Sequence, residues 1–551
     1  MKKLLGLLLV LALLLGCAGA EEAEAPALQK ELVILYTSDV HCGVDQNWGY
    51  ASVYAAKEYY QNKDNYVLLV DDGDAIQGEP IGTMTTGEGI ISIMNAVGYD
   101  IAIPGNHEFD YGMDTFLNLT KEANFPYISC NFNKEGELVF PAYTIKEFDG
   151  VKIAFVGVTT PMTLRSSTPR YFMNDAGEFI YGFFQDESGE KLYEAVQKAV
   201  DDARGEGANY VVLIAHLGNQ AECTPWMYNE VIEHTSGIDV VLDGHSHDEV
   251  QATVKDKDGK NVPRSAVGTK LNNIGVLTIK KDGSLSTKVM TCHSDLSVPD
   301  LTGVDNAAAK EVEVETTVLN RKLAEVVAKT SDDLITHDPE TGERVVRRAE
   351  TNLGDLCADA YRDQGGNVDI GFVNGGGIRV PIAAGDITLN DILKVHPFGN
   401  ALTVVEVTGQ QVLDALEWGV HSEPGEFGGF LQVSGLTFEF DPTIESPVIQ
   451  DENLMFGGVD DTKERRVRNV LVGGEPIDPA KTYTLASHDY MLLNNGDGYT
   501  MFKDAKVLQE SVKLDNQVLI DYITQTLGGV VSEGYDKPYG QGRIVSVGAA
   551  E

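Results

Sequence analysis

Asp39 and His41 offer a carboxylate and an imidazole two residues apart, directly after the apolar run 31–37. Asp74 closes the string Asp72-Gly-Asp74, Asn106, His107 and Asp110 follow Gly105, and His216 and the pair His245-x-His247 come later. Each fragment alone is ordinary. Together they supply hard oxygen and imidazole nitrogen donors sufficient for two divalent transition ions, with zinc, manganese, cobalt and iron all compatible. Six of the 11 histidines precede residue 248, and five of those six stand in these strings, which argues against scattered surface positions. Two ions about 4 Å apart, bridged by one carboxylate, would acidify a shared water and keep open positions for a phosphoryl oxygen. The expected chemistry is phosphoester hydrolysis with water as nucleophile. His107 suits an imidazolium that stabilises developing charge or assists the leaving oxygen, because Asn106 beside it serves as a ligand and Asp110 can orient its ring.

Five short apolar or β-branched runs must position these groups. Residues 31–37 lead into Asp39, 66–70 into Asp74, 101–104 into Asn106, 210–215 into His216, and 238–242 into His245. Helix-like stretches at 87–97 and 191–204 lie between, so the pattern predicts an α/β domain over 28–305 with its site at the carboxyl ends of strands. A charged segment of helical periodicity, 307–328, predicts an exposed connecting helix within a linker spanning 306–335. A separate α/β or α+β domain then covers 336–551. It contains Asn374-Gly-Gly-Gly-Ile-Arg379, which reads either as a turn or as an anion cradle to which Arg379 adds a charged fork.

Charge narrows the partners. With 42 Lys plus Arg against 84 Asp plus Glu over 551 residues, the net charge of −42 argues against nucleic-acid polymers and anionic membrane surfaces, while leaving small anions held by metals. Residues 1–17 read as a lipoprotein-type export signal: Lys2 and Lys3, an apolar run from Leu4 to Leu15, then Gly16 and Cys17. The run is too short to span a bilayer, and Leu14-Leu15-Gly16-Cys17 resembles a bacterial lipobox, which implies a lipid anchor at Cys17 in the cell envelope. Residues 18–27 form a short acidic tether. The remaining five cysteines lack Cys-x-x-Cys spacing and read mostly as small buried hydrophobes.

The strings Thr37-Ser-Asp-Val-His-Cys42, Asp72-Gly-Asp74, Gly105-Asn-His-Glu-Phe-Asp110, His216-Leu-Gly218 and Gly244-His-Ser-His247 resemble the calcineurin-like metallophosphoesterases, specifically the bacterial and animal 5′-nucleotidase family. The resemblance extends through 350–360, 374–379, 396–400, 429–435 and 488–499, nearly the whole mature chain. It implies a metallophosphoesterase β-sandwich flanked by helices, a linker helix and a separate C-terminal nucleotide-binding domain. By that resemblance one ion is held by Asp39, His41, Asp74 and His247, the other by Asp74, Asn106, His216 and His245, with His107 and Asp110 as the catalytic pair. Phe430 and Tyr490 would sandwich the base, Asp497 would lie near the ribose, Asn400 would meet the nucleoside and Arg379 the phosphate. Two departures stand out. Cys42 occupies a position where the family has glycine, and arginine is scarce in the substrate domain, none occurring between Arg379 and Arg465. Such thinning would shift phosphate stabilisation onto the metals and His107. The expected activity is hydrolysis of nucleoside 5′-monophosphates. The alternatives are a 2′,3′-cyclic nucleotide phosphodiesterase, a nucleotide-sugar or dinucleotide pyrophosphatase, and an exported nucleotide-binding receptor.

Overall fold

Strand β1 (Leu32–Thr37) is buried along its whole length, and its side chains alternate between two cores. Leu32, Ile34 and Tyr36 point into an apolar layer shared with Leu68, Phe155, Val212, Ile214 and Leu242, while Val33 and Leu35 face Val53, Ala56, Ile90 and Met94. A strand covered on both faces needs a continuous apolar run, and that is what the sequence supplies. The computed structural model describes residues 26–548 apart from 175, 293–299, 452 and 510–512. The predicted export signal and nearly all of the tether therefore lie outside the described residues.

The first domain stacks two sheets face to face. Its strands are β1, β2 (Tyr66–Asp71), β3 (Ile101–Ala102), β4 (Tyr143–Phe148), β5 (Val151–Thr159), β6 (Tyr210–His216), β7 (Val240–Asp243), β8 (Ala252–Lys255), β9 (Asn261–Ser265), β10 (Asn273–Ile279) and β11 (Leu285–Thr291). One sheet has the order β11-β10-β1-β2-β3 and the other β8-β9-β7-β6-β5-β4. Helices α1 (Gly49–Gln61) and α2 (Glu88–Val97) cover the first sheet. On the second, α3 (Glu190–Gly205) packs Leu192, Val196 and Ala199 against Val211, Leu213 and Ala215, the residues of β6 that point away from the inter-sheet layer. Within the sheets β1, β2 and β3 run parallel, as do β5, β6 and β7, so their carboxyl ends emerge along one edge. Loops at that edge carry the candidate metal ligands.

Helix α4 (Ala307–Leu323) begins under an Asn306 cap, whose side chain accepts from the Ala309 amide, and stops earlier than the periodicity suggests. Residues Val326–Thr330 form strand β12 of the C-terminal domain, where β-branched Val326 and Val327 favour an extended chain, so the linker helix does not run to 335. It packs on α1 and α2 through Ala308, Leu319 and Leu323, which are buried in the first domain's core, while about half of its described side chains stay exposed, as its charge suggests.

The C-terminal domain is built around strands β13 (Ile370–Asn374), β14 (Gly385–Thr388), β15 (Leu402–Thr408), β16 (Leu431–Ser434), β17 (Thr482–His488), β18 (Lys506–Gln509) and β19 (Val530–Val531). Its larger sheet has the order β16-β13-β17-β15-β18, and β14-β12-β19 forms a smaller one. Helix α5 (Asn352–Gln364), capped by Thr351, lies on β13 and β16. Gly371 permits that approach, since a Cβ there would sit 2.5 Å from the Ala358 carbonyl. A short helix, α6 (Leu389–Val395), reaches back to α4.

Candidate active site

Turning abruptly at the ends of β1, β2 and β7 demands unusual backbone. Asp39, His41, Asp74, His245 and His247 have φ between 46° and 78°, the left-handed region that non-glycine residues seldom occupy, so five of the seven candidate ligands sit on strained chain. Cys42 has φ of 59°, a conformation that glycine adopts without strain.

The turns aim the side chains at two overlapping points. Ligand atoms of Asp39, His41, Asp74 and His247 lie within 4.8 Å of one another, as do those of Asp74, His216 and His245, and Asp74 belongs to both groups. Its Oδ2 is 3.1 Å from His216 Nε2 and 3.8 Å from His41 Nε2. Asn106 joins the second group through Oδ1, 2.9 Å from His245 Nδ1. Second hydrogen bonds orient the imidazoles: His41 Nδ1 donates to the Gln77 carbonyl at 2.9 Å and His216 Nδ1 to that of Asp72 at 2.8 Å. Both keep Nε2 for an ion.

Two divalent cations fit this donor set. Asp39 and Asp74 are buried side by side, and burial followed by the Asp74 charge pushes Asp39 up to about 7. Burial holds His41 and His245 down at about 3, leaving neutral rings with bare lone pairs. His216 differs: burial works to lower it, but the charge of Asp74, 3.1 Å from its Nε2, outweighs burial and pushes it up to about 10. Crowded carboxylates and neutral imidazoles facing one another are costly by themselves and favourable around cations.

Arg264 braces both ligand loops. Its buried guanidinium donates to Asp243 at 2.7 Å and to Asp248 at 2.6 and 2.9 Å, while Asp243 accepts the amides of Leu217 and Gly218, next to His216. Replacing Arg264 by Met leaves Asp243 charged and unpaired. We expect a loss of about 3–5 kcal/mol of stability, read by thermal unfolding, and roughly 10–100-fold weaker metal retention in chelator competition.

His107 stands at the rim of the cluster. Its Nδ1 donates to Asp110 Oδ2 at 2.6 Å, and Asp110 Oδ1 accepts from Ser167 at 2.8 Å. Burial works to lower the His107 pKa, but Asp110 and Asp74 outweigh it and hold the ring above its ordinary value. Phe398 of the C-terminal domain stacks on it at 5.9 Å.

A cavity of about 240 Å³ runs from this cluster into the C-terminal domain, lined by Asp74, Asn106, His107 and Asp110 on one side and by Arg379, Asn400, Phe427, Tyr490 and Asp497 on the other. Tyr490 reaches across the domain boundary, its hydroxyl donating to the Arg165 carbonyl at 3.1 Å. Asp497 is buried, accepting from Asn374 at 2.5 Å and from Tyr490 at 3.2 Å. Asn400 is anchored by its amide, which donates to Asp515 at 3.2 Å.

Two expectations need correction. Phe430 is buried beside Phe440 and is not among the residues lining the cavity, whereas Phe427, buried in the same core, lines it together with Tyr490. Gly428 and Gly429 turn the chain between the two rings, and a Cβ at Gly429 would meet the Phe427 ring at 2.4 Å. That glycine pair was the available signal for a loop residue facing a ligand. The cavity is also not poor in arginine: Arg344 and Arg347, which precede the glycine cluster, and Arg165 from the first domain all line it with Arg379. The glycine cluster is a turn: amides of Gly375 and Gly376 donate to the Phe430 and Gly428 carbonyls, both at 2.7 Å, and are spent before any anion could use them. All five described cysteines are free, four of them buried.

Residues 32–249 match the calcineurin-like phosphoesterase family, and residues 326–504 match the 5′-nucleotidase C-terminal domain. The chain is 27% identical to a 5′-nucleotidase of Vibrio vulnificus over 92% of its own length and 95% of that protein's. It is also 27% identical to the trifunctional nucleotide phosphoesterase protein YfkN of Bacillus subtilis, over 94% of this chain but only 35% of that protein. Among solved structures, the 5′-nucleotidase precursor from Thermus thermophilus superposes with a TM-score of 0.75 and 26% identity, covering 94% of this chain and 100% of that one. Fold and site together define a two-domain metallophosphoesterase with a centre for two divalent metals. Within that class, the chain belongs to the 5′-nucleotidase family.

Proposed function

We propose that this enzyme hydrolyses nucleoside 5′-monophosphates to nucleoside and phosphate. The observation that carries the proposal is the single cavity whose walls hold both the two-metal ligand cluster and the Phe427–Tyr490 pair. A base between the rings and a phosphate at the cluster require a substrate with both ends, which a 5′-nucleotide provides. Asp39, His41, Asp74, Asn106, His216, His245 and His247 would hold two divalent ions, which would supply charge neutralisation and an activated water. His107, whose proton is held more tightly than usual because Asp110 and Asp74 outweigh burial, lies where it can stabilise charge on the phosphoryl group or give its proton to the departing 5′-oxygen. Arg344, Arg347 and Arg379 bring three further cations to the phosphate end. Asp497 and Asn400 line the path between base and phosphate, where ribose hydroxyls would lie.

Initial rates of substrate consumption, with products resolved by chromatography, on adenosine monophosphate, 2′,3′-cyclic adenosine monophosphate and uridine diphosphate glucose, each with Mn²⁺, Zn²⁺ or chelator, test the proposal. The monophosphate is expected to be fastest and the reaction to stop with chelator. If the monophosphate is the poorest substrate, the proposal fails. The corrected base site has its own check: Phe427→Leu should raise KM by roughly 10–100-fold through lost stacking. Phe430→Leu should lower the melting temperature while KM stays unchanged within error.

Export and lipid anchoring through Cys17 belong to the same proposal, supported by the order of residues 1–17. In bacterial cells making the full chain, Cys17→Ala should move the activity from the membrane fraction to the soluble fraction. An unchanged distribution would argue against the anchor.

A further inference from the structure

A second chamber opens beside the candidate metal centre, bounded by His41, Gly78, Glu79 and Thr269 of the first domain and by His337, Ile378 and Pro397 of the second. His247, Arg344, Arg347 and Arg379 line this chamber and the substrate cavity alike. Lys270 and Lys394 are added to its wall alone. Five cationic side chains, three arginines and two lysines, thus meet here in a chain whose net charge is −42.

Local carboxylates do not balance the lysines and Arg379. Lys270 and Lys394 share one carboxylate, Glu79, at 2.5 and 3.0 Å, and Arg344 is paired with Glu426 through Nε at 2.8 Å. Arg379 lies over the Phe398 ring at 5.6 Å and has no carboxylate in ion-pair contact among the described residues. Burial and then the neighbouring Arg344 hold Arg379 down to about 10, and burial, Arg344 and Arg347 lower His337. Burial is the larger cause of both shifts, and the nearby arginine charges add to it. Three arginines shared with the substrate cavity and two lysines beyond it can accept more than one phosphoryl group.

We propose that this chamber is a second phosphate subsite, taking a phosphate dianion beside the one at the metal centre. The dianion comes either from released orthophosphate or from the terminal phosphate of a nucleotide that carries more than one. The proposal rests on the nucleotidase reading for the first site, and Lys270 and Lys394 are the residues that belong to the second alone.

The test uses the metal-loaded full chain and the double variant Lys270→Gln/Lys394→Gln. Hydrolysis of adenosine monophosphate is followed by adenosine release while orthophosphate is added. If orthophosphate is the source, inhibition is mixed, and its component at saturating nucleotide weakens roughly tenfold in the variant. If the terminal phosphate is the source, kcat/KM for adenosine diphosphate relative to the monophosphate falls by a similar factor instead. Purely competitive inhibition together with an unaltered diphosphate ratio overturns the subsite. Glu79→Gln separates binding from domain contact, because it removes the Lys394 tie between domains yet keeps both lysines. It should hold phosphate as tightly as wild type or more so, and a loss equal to the double variant's would overturn the proposal. A protein silent on every nucleotide would sink the nucleotidase reading alone. Calorimetric titration of orthophosphate into that protein and its double variant would still decide the subsite: weaker binding in the variant supports it, equal binding rejects it.

Discussion

Asp74→Ala is expected to strip both ions from the protein and to lower turnover by roughly 10⁴-fold or more. Asp74 is the only residue in both ligand groups, and its Oδ2 lies 3.1 Å from His216 and 3.8 Å from His41. Its other oxygen accepts the His107 amide at 2.8 Å, so the same carboxylate also sets the backbone from which His107 projects. No neighbouring side chain replaces a shared ligand. Asp39, the nearest carboxylate, is occupied by the amide of His245 at 3.1 Å and sits 3.9 Å from His216. Elemental analysis after gel filtration should find less than one ion per chain, with circular dichroism unchanged. A variant that keeps two ions and turns over within tenfold of wild type would remove Asp74 from the bridging position.

For His107→Ala the expected signature is different: turnover falls roughly 10²- to 10⁴-fold while both ions remain bound. His107 lies outside both ligand groups, and its Nδ1 is committed to Asp110 at 2.6 Å. It therefore acts on the substrate through Nε2. Asp110→Asn should cost less, because it weakens the imidazolium without deleting it. Metal content and kcat measured on the same preparation decide the case. Loss of metal together with activity would make His107 a ligand or a structural group, whereas an unaffected kcat would remove it from the chemistry.

The corrections follow a physical pattern. A strand buried on both faces has to be apolar throughout, so β1, β6 and β7 were legible as runs, and the polar residues closing them were legible as a site because they break such runs. Asp39, His41, Asp74, His216, His245 and His247 each lie within a few residues of a strand end, and a short tether to a rigid element makes local spacing informative. Phe427 and Phe430 carry no such signal. Both are buried aromatics three residues apart, and only the turn through Gly428 and Gly429 decides which of them also borders the cavity. Arg165, Arg344 and Arg347 are isolated along the chain and meet Arg379 only because the two domains close on one cavity. The end of α4 was misjudged for a related reason: charge periodicity continues past Leu323, but pairing of Val326–Thr330 with Gly385–Thr388 gives the backbone a better set of partners.

Residue order alone thus specified an α/β domain and its strand-end donors, which depend on contacts near in the chain, and it carried the resemblance that implied a sandwich and a second domain. The folded arrangement was needed to show which phenylalanine borders the cavity, how many arginines line it, and that a second cationic chamber adjoins the first. Those properties belong to surfaces assembled from residues up to hundreds of positions apart, where side-chain direction is set by packing rather than by spacing.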